Sequence, residues 1–177
     1  MRREQLEHVL RAVSAIVGDP DVLVIGSQSI LGAIPEHLLP PVVTRSTEVD
    51  IAFFDDPDGR KADLVDGGIG EMSAFDSTYG YYAQGVDTST AILPDGWRDR
   101  LVVVANANTG TAQARCLEPH DCAASKLAAG REKDLVFVSA LLEARLIDAD
   151  TLADRIKAMN VSTVLRQRML NWVAAGS

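Results

Sequence analysis

Two carboxylates and a glycine–serine pair are the residues of this chain best suited to chemistry. Glu48-Val49-Asp50-Ile51 sets the acids two positions apart. On a strand, alternate side chains share a face, so Glu48 and Asp50 project together while Val49 and Ile51 turn toward a core. Two anions held side by side repel each other, and a buried pair is costly unless protons or a cation offset it. A hard divalent cation is the natural partner, Mg2+ first and Mn2+ as a substitute, because it takes carboxylate and phosphate oxygens together. The competing reading is a solvated strand end that happens to carry two acids.

Gly26-Ser27-Gln28 follows a short apolar run. Glycine permits a tight turn and the close approach of another group to the backbone. The first N–H groups of a helix that follows are free and sit at its positive end, so a phosphate could rest on Ser27 and its neighbours. Equally, Ser27 could simply cap that helix. Farther along, Lys126 and Asp134 are eight positions apart. One continuous helix would bring both onto one face and turn Arg131 and Lys133 elsewhere, whereas a break at Gly130 predicts that this geometry is lost. The alternative for Lys126, Arg131 and Asp134 is an ion-paired helix start at the surface.

These residues need elements to hold them. Leu6, Val9, Leu10, Val13 and Ile16 have helical spacing over residues 3–17, closed by Gly18-Asp19-Pro20. Residues 22–25 and 49–54 read as strands, and Ile30, Leu31, Ile34 and Leu38 as a helix that Pro35 ends or bends. A short helix is expected over 60–66, before Gly67-Gly68. Residues 76–93, rich in Tyr, Thr, Val and Gly, suit one or two strands with a tight turn. Residues 101–104 and 112–117 form a hairpin around Asn106-Ala107-Asn108-Thr109-Gly110. Helices are expected at 119–129, 131–146, 150–159 and 162–175. The expectation is one α/β (α+β) domain over 1–177: a sheet-containing core to about 117, then a helical part over 118–177.

The chain has 177 residues, with 17 Lys+Arg against 25 Asp+Glu and 47% hydrophobic residues, a composition that supports a folded core. No apolar run approaches the roughly 20 residues of a membrane span, and Met1-Arg2-Arg3-Glu4 leads into an amphipathic stretch. Cys116 and Cys122 lack metal-finger spacing, so reduced thiols in the cytoplasm are expected. No neighbouring motif activates either as a nucleophile. Residues 1–90 carry six basic against fifteen acidic side chains, and residues 91–177 eleven against ten. That balance disfavours a nucleic-acid surface over the whole chain and leaves a local one open in the second half. Trp97, Trp172, Phe53, Phe54 and Phe137 read as core, His8 and His37 as surface residues, and His120 as a helix cap.

A glycine–serine turn followed by a strand of paired acids resembles the nucleotidyltransferase superfamily. The segment Thr44-Arg45-Ser46-Thr47-Glu48-Val49-Asp50 looks like the lead-in to the acids in its AbiE/MenT-like branch, the toxin partners of bacterial toxin–antitoxin pairs. Leu117-Glu118-Pro119-His120-Asp121 and Lys126-Leu127-Ala128-Ala129-Gly130-Arg131-Glu132-Lys133-Asp134 look like that branch's downstream segment. Further likeness to one bacterial subfamily lies in Gly70-Glu71-x-Ser73-x-Phe75, Gly80-Tyr81-Tyr82 and Leu93-Pro94-x-Gly96-Trp97.

The resemblance implies a mixed sheet flanked by helices and a Mg2+-dependent transfer of a nucleoside monophosphate from a nucleoside triphosphate. Glu48 and Asp50 would hold the cations and, with Lys126, form the catalytic set. Gly26, Ser27, Gln28, Arg45, Lys126, Arg131 and Asp134 would bind the nucleotide. The acceptor would be tRNA, a protein side chain or a small-molecule hydroxyl, and a cognate antitoxin could be a partner. The chain departs from the superfamily pattern in three places: Glu48 stands where an Asp is usual, Gln28 where a second small residue is usual, and a third carboxylate is not evident. Glu71 and Asp76 are the candidates for that third acid. A rival reading is a nucleotide-binding or partner-binding module that keeps the fold without catalysis, and a weaker one is a transferase of antibiotic-resistance type.

Overall fold

A computed structural model describes residues 1–176. Five strands, β1 (Leu23–Ile25), β2 (Glu48–Ala52), β3 (Tyr82–Gly85), β4 (Val102–Val104) and β5 (Ala114–Cys116), form one mixed sheet in the order β3-β2-β1-β5-β4. β1 runs antiparallel to β2 and parallel to β5, β2 parallel to β3, and β4 antiparallel to β5. The expected mixed sheet with flanking helices and a helical C-terminal part is therefore the observed architecture.

Strand parity divides the sheet into two faces. Val49 and Ile51 are fully buried on one, where α1 (Arg3–Val17) and α3 (Arg60–Ile69) pack. Helix α1 contributes Leu6, Val9, Leu10 and Val13 of the stripe read from its spacing, whereas Ile16, the fifth member, is exposed at the helix end. Gly85, opposite Ile51 in the register, admits α3: a Cβ there would lie 2.1 Å from the Ala62 carbonyl oxygen. Glu48 and Asp50 point to the other face, over which α5 (Pro119–Ala129) and α6 (Glu132–Glu143) close.

Helix α5 is held by charge as well as by apolar contact. Glu118 is its N-cap, accepting from the backbone N–H groups of His120 and Asp121 at 3.0 and 3.2 Å. The fully buried Asp121 carboxylate accepts from Arg100 at 2.8 and 3.0 Å, and Arg155 Nε of α7 (Ala149–Lys157) lies 3.1 Å away. His120 is thus not the cap. Its Nδ1 donates to Glu118 Oε1 at 2.6 Å, while its Nε2 accepts from Asp148 N at 2.9 Å, so it ties α5 to the start of α7. The C-terminal α8 (Thr163–Ala175) packs on α7 and buries Met169 and Val173.

Three local expectations are corrected. The helix expected over 30–38 is a 3-10 turn (Ser27–Ser29), a four-residue α2 (Ile30–Ala33) and a second 3-10 turn (Glu36–Leu38). Ile34 is extended at φ −120°, ψ 135°, because Pro35 excludes the helical conformation for the residue before it. Residues 76–93 hold one strand, β3, within the one or two expected. Their front belongs to α4 (Ala74–Tyr79), started by Ser73 Oγ accepting from Asp76 N, so a local cap overrode β propensity. Helix α3 runs on through Gly67-Gly68 to the buried Ile69.

Two side-chain placements also differ. His8 is half-buried, 2.7 Å from the Tyr81 hydroxyl, tilted against the Phe75 ring and edge-on to Tyr79. Phe54 is exposed and lies nearly parallel to Trp97, centroids 6.4 Å apart, with the Arg98 guanidinium over both rings. Phe53 and Phe137 are core, as expected.

Candidate functional site

Glu48 and Asp50 lie on the floor of a cavity of about 840 Å³, within the roughly 300–1,000 Å³ range of small-molecule sites. Strand β2 projects both carboxylates into it, while Val49 and Ile51 on the opposite face anchor the strand. Ser46 steadies the start of β2, its Oγ accepting from Glu48 N at 3.1 Å.

Gly26 ends β1 beside these acids. Its backbone adopts φ 78°, ψ −167°, a conformation open to glycine alone. A Cβ at this position would lie 1.8 Å from Asp50 Oδ2, so the bare backbone lets the Asp50 carboxylate sit against the turn. Ser27 lines the cavity next to it, with Gly26 and not Ser27 in the cap position of the turn. The Gln28 side chain, by contrast, is buried away from the cavity lining. Its Nε2 reaches Ser27 Oγ at 3.3 Å and the Val43 carbonyl at 3.5 Å, which makes it a support for the turn and the 40–47 segment.

The opposite wall is built by α5 and α6. Gly130, at φ 65°, does break the chain into two helices, yet Lys126 and Asp134 still meet, Nζ to Oδ1 at 3.4 Å. The expectation that a break would separate them is corrected: the two helices pack across the glycine corner and bring the last turn of one against the first turn of the other. Arg131 completes the cluster, its Nε and Nη2 donating to the Asp134 carboxylate at 2.6 and 3.2 Å. Arg45, Glu132 and Lys133 also line the cavity, and Val42, Val86, Ile92 and Phe137 add apolar wall.

The electrostatics follow from this packing. Burial, then the neighbouring Glu48, pushes the Asp50 carboxyl up to about 6, against the pull of Lys126 and Arg131. Burial also acts to raise Asp134, but the hydrogen bond from Arg131 and the charge of Lys126 outweigh it and hold Asp134 below the usual carboxylate range. The cavity thus has a floor of two adjacent carboxylates and a wall whose buried acid, Asp134, is already paired.

Glu71 and Asp76 are not brought to the floor: neither lines the cavity. Glu71 is exposed beyond α3, and Asp76 accepts from Met72 N at 3.0 Å at the start of α4. The positions next to the acids on β3 are Tyr82, opposite Glu48, and Gln84, opposite Asp50. Tyr82 Oη donates to Glu48 Oε2 at 2.9 Å, and Gln84 lines the cavity. Sequence reasoning missed both. Their signal was the alternation of β3 once that strand was paired in register with β2. Among the described residues, no group of three or more His, Cys, Asp or Glu side chains is placed to hold a metal ion. Two carboxylates alone suit a cation such as Mg2+, which commonly takes one or two protein carboxylates and completes its shell with water and phosphate oxygens.

Cys116 and Cys122 are buried and unpaired. Burial raises both thiols, Cys116 to about 12, which opposes the thiolate and any nucleophilic role. No helix among the described residues is long and apolar enough to cross a membrane.

Comparison with known proteins bears on this arrangement. No curated protein and no solved structure matches the chain. A family model described as "Nucleotidyltransferase of unknown function (DUF6036)" matches residues 4–173. That span contains both acids, the glycine turn and the Lys126–Asp134 wall, and the chain belongs to this nucleotidyltransferase family.

Proposed function

We propose that the chain moves a nucleoside monophosphate from a nucleoside triphosphate to an acceptor nucleophile, with Mg2+ held by Glu48 and Asp50. The single observation that carries this reading is the pairing of the two carboxylates on one face of β2, with the bare Gly26 backbone against Asp50. Mn2+ would substitute for Mg2+. When bound, such an ion neutralises phosphate charge and orients the triphosphate. Ser27 and the Gly26 backbone hold phosphate oxygens at the turn. Lys126 and Arg131 supply positive charge from the opposite wall as pyrophosphate departs, and Arg45 does so from the rim. Asp134 keeps Lys126 and Arg131 in place and thereby orients the nucleotide.

The Thr44–Asp50 and Leu117–Asp134 segments favour the AbiE/MenT-like branch and thus the role of a toxin with a cognate antitoxin. The acceptor classes in keeping with the site are tRNA, a protein side chain and a small-molecule hydroxyl. Buried free thiols suit a reducing cytoplasmic setting.

One observation favours a second reading. Gln84, an amide, stands beside Asp50 where a third carboxylate could complete a two-metal set. A chain that binds Mg2+ and nucleotide without transferring it fits that feature.

Thermal-shift titration with each of the four nucleoside triphosphates, with and without Mg2+, tests the binding shared by both readings, because a ligand of the folded state raises the midpoint by mass action. A Mg2+-dependent rise lost in Asp50→Asn is expected, and its absence for every nucleotide would refute the site. Labelled nucleotide carried onto an acceptor then separates transfer from binding alone.

A further inference from the structure

We infer that Tyr82 is the positioning residue for Glu48, the group that makes a glutamate serviceable at the first acid position; this rests on the proposed role of Glu48 and Asp50 as cation ligands. Tyr82 lies directly opposite Glu48 in the parallel register of β2 and β3, so both side chains leave the same face. Its hydroxyl donates to Glu48 Oε2 at 2.9 Å. Glu48 lines the cavity and Tyr82 does not, so the phenol meets the carboxylate from outside and leaves the cavity side open.

The need for such a partner is conformational. Glutamate has one more rotatable bond than aspartate, so its carboxylate samples more positions and loses more freedom when held beside Asp50. A hydrogen bond from a rigid ring on the neighbouring strand removes that freedom in advance. The same device is widespread around metal ligands, whose orientation depends on the groups that hydrogen-bond to them. Tyr82 is suited to this role because a neutral phenol has one O–H to donate and the Glu48 carboxylate is its acceptor.

The test compares wild type, Tyr82→Phe, Glu48→Asp and the double variant. Mn2+ binding to the metal-free protein, followed by electron paramagnetic resonance, should weaken by roughly ten- to hundredfold in Tyr82→Phe. In the Glu48→Asp background the same change should do nothing, because the shorter side chain is beyond the hydroxyl's reach. Equal loss in both backgrounds would make Tyr82 a general structural residue and overturn the role. A crystal structure of metal-free Tyr82→Phe supplies the second readout: the Glu48 carboxylate should leave its wild-type position or spread over several. An undisturbed Glu48 overturns the inference whether or not a cation binds. Wild type that binds no Mn2+, with Glu48 displaced in Tyr82→Phe, would remove the cation reading and leave the positioning role standing.

Discussion

A Cβ atom on Gly26 would lie 1.8 Å from Asp50 Oδ2, so the glycine of one strand end and the carboxylate of its neighbour occupy mutually dependent positions. The register of β1 and β2 creates this dependence by pairing Ile25 with Asp50.

Gly26→Ala should therefore damage both fold and site. The left-handed backbone and the clash together should cost about 1–3 kcal/mol, and Asp50 must move to make room. Urea denaturation and the Mg2+-nucleotide thermal shift check this. An alanine variant with wild-type stability and an unchanged shift would remove the close-approach argument.

The pH dependence of Asp50 has a definite sign. Its folded-state value, about 6, lies above the ordinary carboxyl range, so the folded chain holds this proton more tightly than the unfolded chain does. Ionisation then lowers stability as pH rises from about 4 to about 6, by at most roughly 3 kcal/mol, and by no more beyond that window. Asp50→Asn removes this penalty. In metal-free buffer it should gain on the wild type through that window and stay ahead at neutral pH. Urea midpoints over a pH series decide the matter, and a variant weaker than wild type at neutral pH would make Asp50 a structural acid.

Asp134 titrates in the opposite sense. Held below the usual carboxylate range by Arg131 and Lys126, it stabilises the fold at neutral pH and loses that contribution as pH falls below its unfolded value of about 3.9. Asp134→Ala leaves Lys126 and Arg131 without their shared acid and should cost about 1–3 kcal/mol, moderated because the Arg131 side chain is 57% exposed and can return to water. Lys126→Ala should retain most of the stability and lose the nucleotide-dependent shift. If both variants keep that shift, the α5–α6 wall does not touch the ligand.

Asp121 predicts the largest loss of stability. Its side chain is fully buried between Arg100 and Arg155. Asp121→Ala leaves two guanidinium groups without their partner and should destabilise by about 3–5 kcal/mol. Hydrogen exchange should show α5 and α7 losing protection together. Denaturation with an unchanged midpoint would show that apolar packing alone docks these helices.

The periodic signals were the legible ones. The α1 stripe and the alternation of β2 were open to reading because burial repeats there every 3.6 or two residues, while β1 and the β4–β5 hairpin showed as short apolar runs bounded by turn residues. Only the front of the 76–93 segment was misread, because the capping contact at Ser73 starts a helix there despite a strand-like composition. The break in the 30–38 segment was half legible, since Pro35 restricts Ile34 before any tertiary contact forms.

Chain order alone thus carried the residue types and the local geometry: two acids on one strand face, a glycine that can turn tightly, a lysine and an aspartate eight positions apart. It could not say which strand lies beside β2, because pairing is a contact between distant segments and depends on how both bury their apolar faces. Only the assembled sheet placed Tyr82 and Gln84 next to the acids, left Glu71 outside the cavity, and brought Lys126 to Asp134 across a broken helix. Local chemistry follows from neighbours in sequence, whereas a site is made by neighbours in space.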